Sequence, residues 1–272
     1  MSNSLITKKY ISNNHSNREQ KTPLVLIHGW GLNSAVWEPT IQKLHQHIDI
    51  ITVDLPGFGL NINKPLADYS LINVVNEIQS AINTPAIYLG WSLGGLVATQ
   101  LAYSFPEKVV ACVTVASSPC FLNKSDEEPI WPGILPNVLR MFYQQLAQNT
   151  QKTLEGFLKI QAMGSPHVRQ DIKTIRELVM QHSLPTEQTL ADSLQLLETV
   201  DLREQLSSLK MPFLRLYGKL DSLVPKSAIE PIDALLPHSQ KHIFPKASHA
   251  PFISHPEEFN EVLLEWLGSC NT

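Results

Sequence analysis

The chain has 272 residues, with 21 Lys and Arg against 25 Asp and Glu and a net charge of -4. At 43% hydrophobic and 17% charged residues it is too apolar for intrinsic disorder. Its weak acidity excludes a general nucleic-acid binder, which needs a basic face. Cys112, Cys120 and Cys270 are scattered and form no C-x-x-C pair, so neither a zinc site nor a disulfide framework is expected. Residues 1–22 are rich in Ser, Asn and Lys with no apolar signal core, and no apolar run approaches the roughly 18 residues of a membrane span. The expectation is a cytoplasmic monomer that does not associate with membranes.

Along the chain, residues 23–27 form a short apolar run ending at His28-Gly29, which predicts a strand buried on both faces. Val36, Trp37, Ile41, Leu44 and Ile48 then recur at helical spacing. Residues 50–53 predict the next strand, closed by Asp54 and the turn Pro56-Gly57-Phe58-Gly59. Ser70 stands at the cap position of a helix carrying Val74, Val75, Ile78 and Ile82. Residues 86–89 predict a third strand, followed by a helix with Leu96, Val97 and Leu101, and residues 109–116 predict a fourth. Strand and helix alternating in this way give βαβ units and a mostly parallel, doubly wound sheet. From residue 119 to about 192 only helical patterns appear, and strands return at 213–217 and 242–244. A last helix opens at Pro256 and places Phe259, Val262, Leu263, Trp266 and Leu267 inward. The expected organisation is a core of residues 1–118 and 193–272 interrupted by a helical cap, 119–192.

Gly90-Trp91-Ser92-Leu93-Gly94-Gly95 fits G-x-S-x-G between a predicted strand and a predicted helix. A serine in that tight turn is forced above the sheet, with its hydroxyl expected to be exposed at the helix N-terminus. Serine is a poor nucleophile until a base takes its proton, so a histidine and an orienting acid must lie elsewhere. Asp221 follows the strand 213–217, and His249 follows the strand 242–244. Ser92, Asp221, His249 is the chain order of the α/β-hydrolases, with each member at a strand's C-terminal end. Asp54 precedes Ser92 and is assigned to a structural turn, His255 to a helix entry. Acyl transfer also needs donors for an oxyanion. The backbone N–H groups of Trp30 and Leu93 are the expected pair, with the Trp30 ring as a wall of the acyl site.

His28-Gly-Trp-Gly, Asp54-Leu-Pro-Gly-Phe-Gly59, the Ser92 elbow and His249 resemble the α/β-hydrolase superfamily. Residues 113–120, Trp131-Pro-Gly133, 213–218 and 249–256 resemble, more narrowly, the BioH-type esterases of biotin synthesis. That resemblance implies hydrolysis of the methyl ester of pimeloyl-acyl carrier protein through an acyl-enzyme, with no metal or organic cofactor. It also implies a partner, the acyl carrier protein, and a substrate contact made by Trp30, Ser92, Leu93 and His249 with the stretch Phe157, Leu158, Lys159, Ile160 and Gln161. Lys159 stands where the family usually carries Ala. Arg169 matches a basic position used for the carrier, Lys152 and Lys173 replace arginines there, and Gly156 replaces another.

Residues 137–176 carry Arg140, Lys152, Lys159, Arg169, Lys173 and Arg176 against Glu155 and Asp171, a local +4 in a chain of -4. Such a patch steers an acidic partner, although a solvated helix face has the same composition. A serine at the elbow argues against dehalogenases and epoxide hydrolases of this fold, which use aspartate. The rival expectations are a broad short-chain carboxylesterase or carbon–carbon-bond hydrolase, and, in a different class, a noncatalytic ligand-binding protein.

Overall fold

A computed structural model of the chain describes residues 4–12, 22–163 and 165–270. Its strands are β1 (Thr7–Tyr10), β2 (Leu24–Ile27), β3 (Ile50–Val53), β4 (Ala86–Trp91), β5 (Val109–Val115), β6 (Phe213–Gly218) and β7 (Gln240–Phe244). They form one seven-stranded sheet in the order β1-β3-β2-β4-β5-β6-β7, parallel throughout except for β1. Every residue of β2, β3, β4 and β6 is buried, as continuous apolar runs covered on both faces require.

Alternation along β2 sorts the core into two layers. Val25 and Ile27 join the cluster of Val74, Val75 and Ile78 from α2 (Leu71–Ala81) with Leu96 and Leu101 from α3 (Leu93–Ser104). Leu24 and Leu26 face the opposite layer, where α1 (Glu38–Leu44) contributes Ile41 and Leu44. There they meet Phe259, Leu263, Trp266 and Leu267 of the C-terminal helix (Pro256–Cys270), while Val262 is only half-buried.

Two local expectations are revised. Residues 7–10 add an antiparallel strand at the sheet edge, where Thr7-Lys-Lys-Tyr10 has no apolar run to announce it. Exposed lysines suit an edge, since they oppose further pairing. Ser70 does precede α2, but its hydroxyl donates to Asp68 rather than accepting from the helix.

Between β5 and β6 lie α4 (Pro136–Leu146), α5 (Thr150–Ala162), α6 (Val168–Val179) and α7 (Glu187–Thr199). Pro136 starts α4, the Asn149 side chain accepts the Lys152 N–H at the start of α5, and Thr186 does the same for Thr189 at α7. Helix α7 runs unbroken across residue 192. The insertion leaves and rejoins the core at one place, where the Leu202 N–H donates to the Pro119 carbonyl and Cys120 bridges Asp201.

The sheet register positions the site. Ile27 pairs with Gly90, Trp91 with Val115, and Gly218 with Phe244. The turns that follow β2, β4, β6 and β7 therefore open at the C-terminal end of the parallel strands, where ligands of such α/β sheets bind.

Candidate active site

Ser92 joins β4 to α3 with φ of 55° and ψ of -117°, a left-handed conformation rare for a residue with a side chain. Its N–H donates to the Val115 carbonyl, and its own carbonyl accepts from the Gly95 N–H and the Ser117 hydroxyl. These three bonds hold a strain of about 1–3 kcal/mol. A Cβ at residue 90 would stand 2.0 Å from the Gly94 carbonyl oxygen, so the turn needs glycine there. Contrary to expectation, Ser92 is only 1% exposed. The insertion closes over the C-terminal end of the strands. The Trp30 indole N–H donates to the Leu190 carbonyl of α7 at 3.0 Å, and the His249 N–H to the Gln161 carbonyl of α5 at 3.1 Å.

Asp221 lies beyond β6. One carboxylate oxygen accepts the N–H groups of Leu223 and Val224 at 2.8 and 3.1 Å, leaving the other for His249 Nδ1 at 2.7 Å. Both side chains are buried, 0% exposed for His249 and 1% for Asp221. With Nδ1–H donating to the carboxylate, Nε2 keeps its lone pair, and it is buried without a protein partner. That is the condition of a base ready to accept a proton. Trp91, the residue before Ser92, donates its indole N–H to the His249 carbonyl at 2.8 Å and sets its ring against the imidazole.

The loop after β2 is held from below. His28 Nε2 accepts the Leu55 N–H at 3.0 Å, and Nδ1 donates to the Gly29 carbonyl at 2.8 Å. Burial lowers the His28 pKa, outweighing the opposing pull of Asp54, so the 3.7 Å approach of the two is a contact with a neutral imidazole. Asp54 accepts the N–H groups of Ser34 and Leu60, tying the Trp30 loop to the next one. This is the structural role expected for it. Among the described residues, neither the Trp30 nor the Leu93 N–H donates to a protein acceptor. Leu93 opens α3, where the first amide groups lack helical partners.

The α5 stretch divides by helical period. Phe157 sets its edge on Trp30 at 4.8 Å between ring centroids, and Leu158 and Gln161 are also buried. Trp30 thus packs between the core loop and the insertion. Gln161 is 0% exposed, and neither of its amide atoms has a protein partner. Ile160 is half-buried. Lys159 falls on the outer face of the helix and is exposed, so its ammonium lies away from the buried face. Lys152, Arg169 and Lys173 are exposed on α5 and α6. Lys173 pairs with Glu177 at 3.8 Å, whereas among the described residues Lys152 and Arg169 have no ion pair.

Sequence reasoning missed Trp91 and Leu190, the hydrogen-bond partners of the His249 carbonyl and the Trp30 indole. A tryptophan abutting Ser92 was the one visible signal. Among the described residues no three His, Cys, Asp or Glu side chains gather as metal ligands do, and no helix is long and apolar enough to cross a membrane.

Solved structures resemble this one over nearly their whole length. An esterase from Exiguobacterium antarcticum superposes with a TM-score of 0.82 at 21% identity, covering 97% of this chain and 95% of that one. A bromoperoxidase from Bacillus anthracis gives 0.82 at 19%, covering 96% and 94%. An enol-lactonase from Burkholderia xenovorans LB400 gives 0.78 at 15%, covering 97% and 96%. These are an esterase, a bromoperoxidase and a lactonase on one fold, so the likeness carries the fold alone. The family model described as the alpha/beta hydrolase fold matches residues 22–256, and the chain belongs to that family.

Proposed function

We propose that the chain is a serine carboxylesterase that hydrolyses the methyl ester of pimeloyl-acyl carrier protein, giving methanol and the free acid. The observation that carries the serine-esterase part is the buried Asp221–His249 bond with a free Nε2, at the same C-terminal end of the strands as the strained Ser92. Ser92 Oγ attacks the ester carbonyl as His249 Nε2 takes its proton. The oxyanion receives the N–H groups of Trp30 and Leu93, each donor being worth roughly 3 kcal/mol of transition-state stabilisation. Collapse expels methanol, protonated by His249, and leaves an acyl-enzyme. Water, deprotonated by the same nitrogen, then releases the carboxylic acid and restores Ser92. No step calls for a metal or organic cofactor.

The carrier-bound substrate is supported by the resemblance to BioH-type esterases and by the exposed cations of α5 and α6, which suit an acidic partner. Helix α5 carries both features. Phe157, Leu158 and Gln161 lie on its buried side, and Lys152 and Lys159 lie outside. In this reading the acyl chain runs along the buried face, and the Gln161 amide supplies a polar contact that the protein itself leaves unmade.

The deciding experiment compares kcat/KM for pimeloyl-carrier methyl ester with that for methyl pimelate and a short p-nitrophenyl ester. A preference of at least about a hundredfold for the carrier-bound ester is expected. Equal or greater efficiency on free short esters would replace the assignment with a broad carboxylesterase. Turnover of none of the three would point to the carbon–carbon-bond or noncatalytic readings.

A further inference from the structure

We infer that Ser248 is a positioning residue that uses the end of α5 to hold His249 in place, so that seating the insertion and setting the catalytic base are one event. The inference rests on the serine-hydrolase reading of Ser92 and His249, but not on the pimeloyl substrate.

A helix leaves its last carbonyls without helical donors, and these must find partners elsewhere. At the end of α5, the Ile160 and Ala162 carbonyls accept the N–H groups of Met163 and Ser165. The two carbonyls that alternate with them turn to the histidine loop. Gln161 accepts the His249 N–H at 3.1 Å, and Met163 accepts the Ser248 hydroxyl at 2.6 Å. Consecutive residues 248 and 249 thus grip alternate carbonyls of the helix end. The Ser248 hydroxyl has a single proton. The Leu220 carbonyl, at 3.5 Å, is the weaker acceptor, so the bond to the insertion holds that proton.

The rest of the loop is already fixed to the core. A Cβ at residue 218 would stand 1.8 Å from the Ser248 carbonyl oxygen, so the backbone lies directly on the end of β6. The Leu220 N–H donates to the Ala247 carbonyl at 3.0 Å. His249 is then held at its carbonyl by Trp91, at Nδ1 by Asp221 and at its N–H by Gln161. The first two supports belong to the core, while the third belongs to the insertion and is reinforced one residue away by Ser248. Ser248 is 2% exposed, so its hydroxyl is withdrawn from solvent although Met163, whose carbonyl it reaches, is an exposed residue. Displacement of a catalytic group by about 1 Å costs on the order of a hundredfold in rate. Loss of one of two grips on the helix end should allow a fraction of that.

The test uses Ser248→Ala and the near-isosteric Ser248→Cys, whose thiol is a weak donor that keeps the volume. Steady-state turnover of a short p-nitrophenyl ester is divided by the number of sites titrated with a fluorophosphonate, so unfolded protein does not count. Both variants should lose about tenfold in kcat per titrated site, with KM within about twofold, and should be phosphonylated more slowly to the same degree. A structural role alone would lower the number of titrated sites and leave kcat per site unchanged, and that result overturns the inference. Recovery of parental kcat in Ser248→Cys alone would overturn it too, because packing would then suffice. A parent that takes no label removes the serine-hydrolase reading and this inference with it. A parent that labels, with variants that keep their kcat, removes this inference only.

Discussion

The Trp91 indole N–H donates to the His249 carbonyl at 2.8 Å, so the residue that precedes Ser92 fixes the backbone of His249. The end of strand β4 thereby anchors both Ser92 and His249. Trp91 also packs edge-on to Trp37 and Phe252. Trp91→Phe should keep much of that packing while leaving a buried carbonyl unpaired, a loss of roughly 1–3 kcal/mol. Urea unfolding should report that loss, and kcat per titrated site should fall alongside it. Unchanged stability and turnover would mean that the bond positions nothing.

Asp221→Asn should lower kcat by about 10⁴ with little loss of stability. The oxygen that accepts from Leu223 and Val224 can be kept, while an amide NH₂ facing Nδ1 forces the imidazole into the wrong tautomer. Asp54→Asn should behave in the opposite way. Both Asp54 oxygens accept backbone N–H groups, and an amide nitrogen cannot. Its expected effect is a lower melting temperature with kcat per titrated site largely preserved. Greater damage to turnover from the Asp54 change at equal stability would reassign the triad acid.

His28 links stability to pH. Burial depresses its folded pKa below the ordinary 6.5, so below that value the unfolded chain takes up a proton that the native state resists. The His28 contribution is therefore complete above pH 6.5 and declines as pH falls, by at most about 1.4 kcal/mol per unit. Denaturant unfolding of the parent and of His28→Asn between pH 7.5 and about 5 should show a shallower slope in the variant. Identical slopes would mean that His28 protonates as readily in the folded protein as in the unfolded chain.

Reversing Lys152, Arg169 and Lys173 to Glu should reduce kcat/KM on the pimeloyl-carrier ester and spare a free short-chain ester. Each site is solvated and worth about 0.2–1 kcal/mol, mostly through encounter rate, so added salt should shrink the parent's advantage. Lys173 already pairs with Glu177, and its share should be the smallest. Equal losses on both substrates would indicate damage to the insertion itself. No loss on either would place the carrier contact elsewhere, consistent with glycine at residue 156.

Most of the central sheet was legible because its strands are buried on both faces and read as unbroken apolar runs. The candidate Ser92 was legible for a related reason, since it follows the run of β4 directly, whereas Asp221 and His249 stand a few residues beyond β6 and the partly exposed β7 and were picked out by their chain order. Residues 7–10 were not, because an edge strand with two lysines has neither an apolar run nor alternation to mark it. The burial of Ser92 was also hidden. It arises from bonds such as His249 N–H to the Gln161 carbonyl, which join backbone atoms far apart in sequence and leave no trace in residue type. The outward face of Lys159 could have been read from helical period, since residues 157, 158 and 161 share the side that it does not. The tryptophan beside Ser92 was visible, but its bond to the His249 carbonyl, like that of Ser248 to the Met163 carbonyl, is a tertiary contact that no local pattern encodes.

The central claim is that Ser92 carries the acyl group. Fluorophosphonate labelling followed by peptide mass spectrometry, performed on the parent and on Ser92→Ala, tests it most directly. The account predicts one label per chain, located on Ser92, and none on the variant. It also predicts a variant that melts near the parent temperature and hydrolyses a p-nitrophenyl ester at least about a thousandfold more slowly. Label on another residue, or activity of Ser92→Ala within about tenfold of the parent, would contradict it.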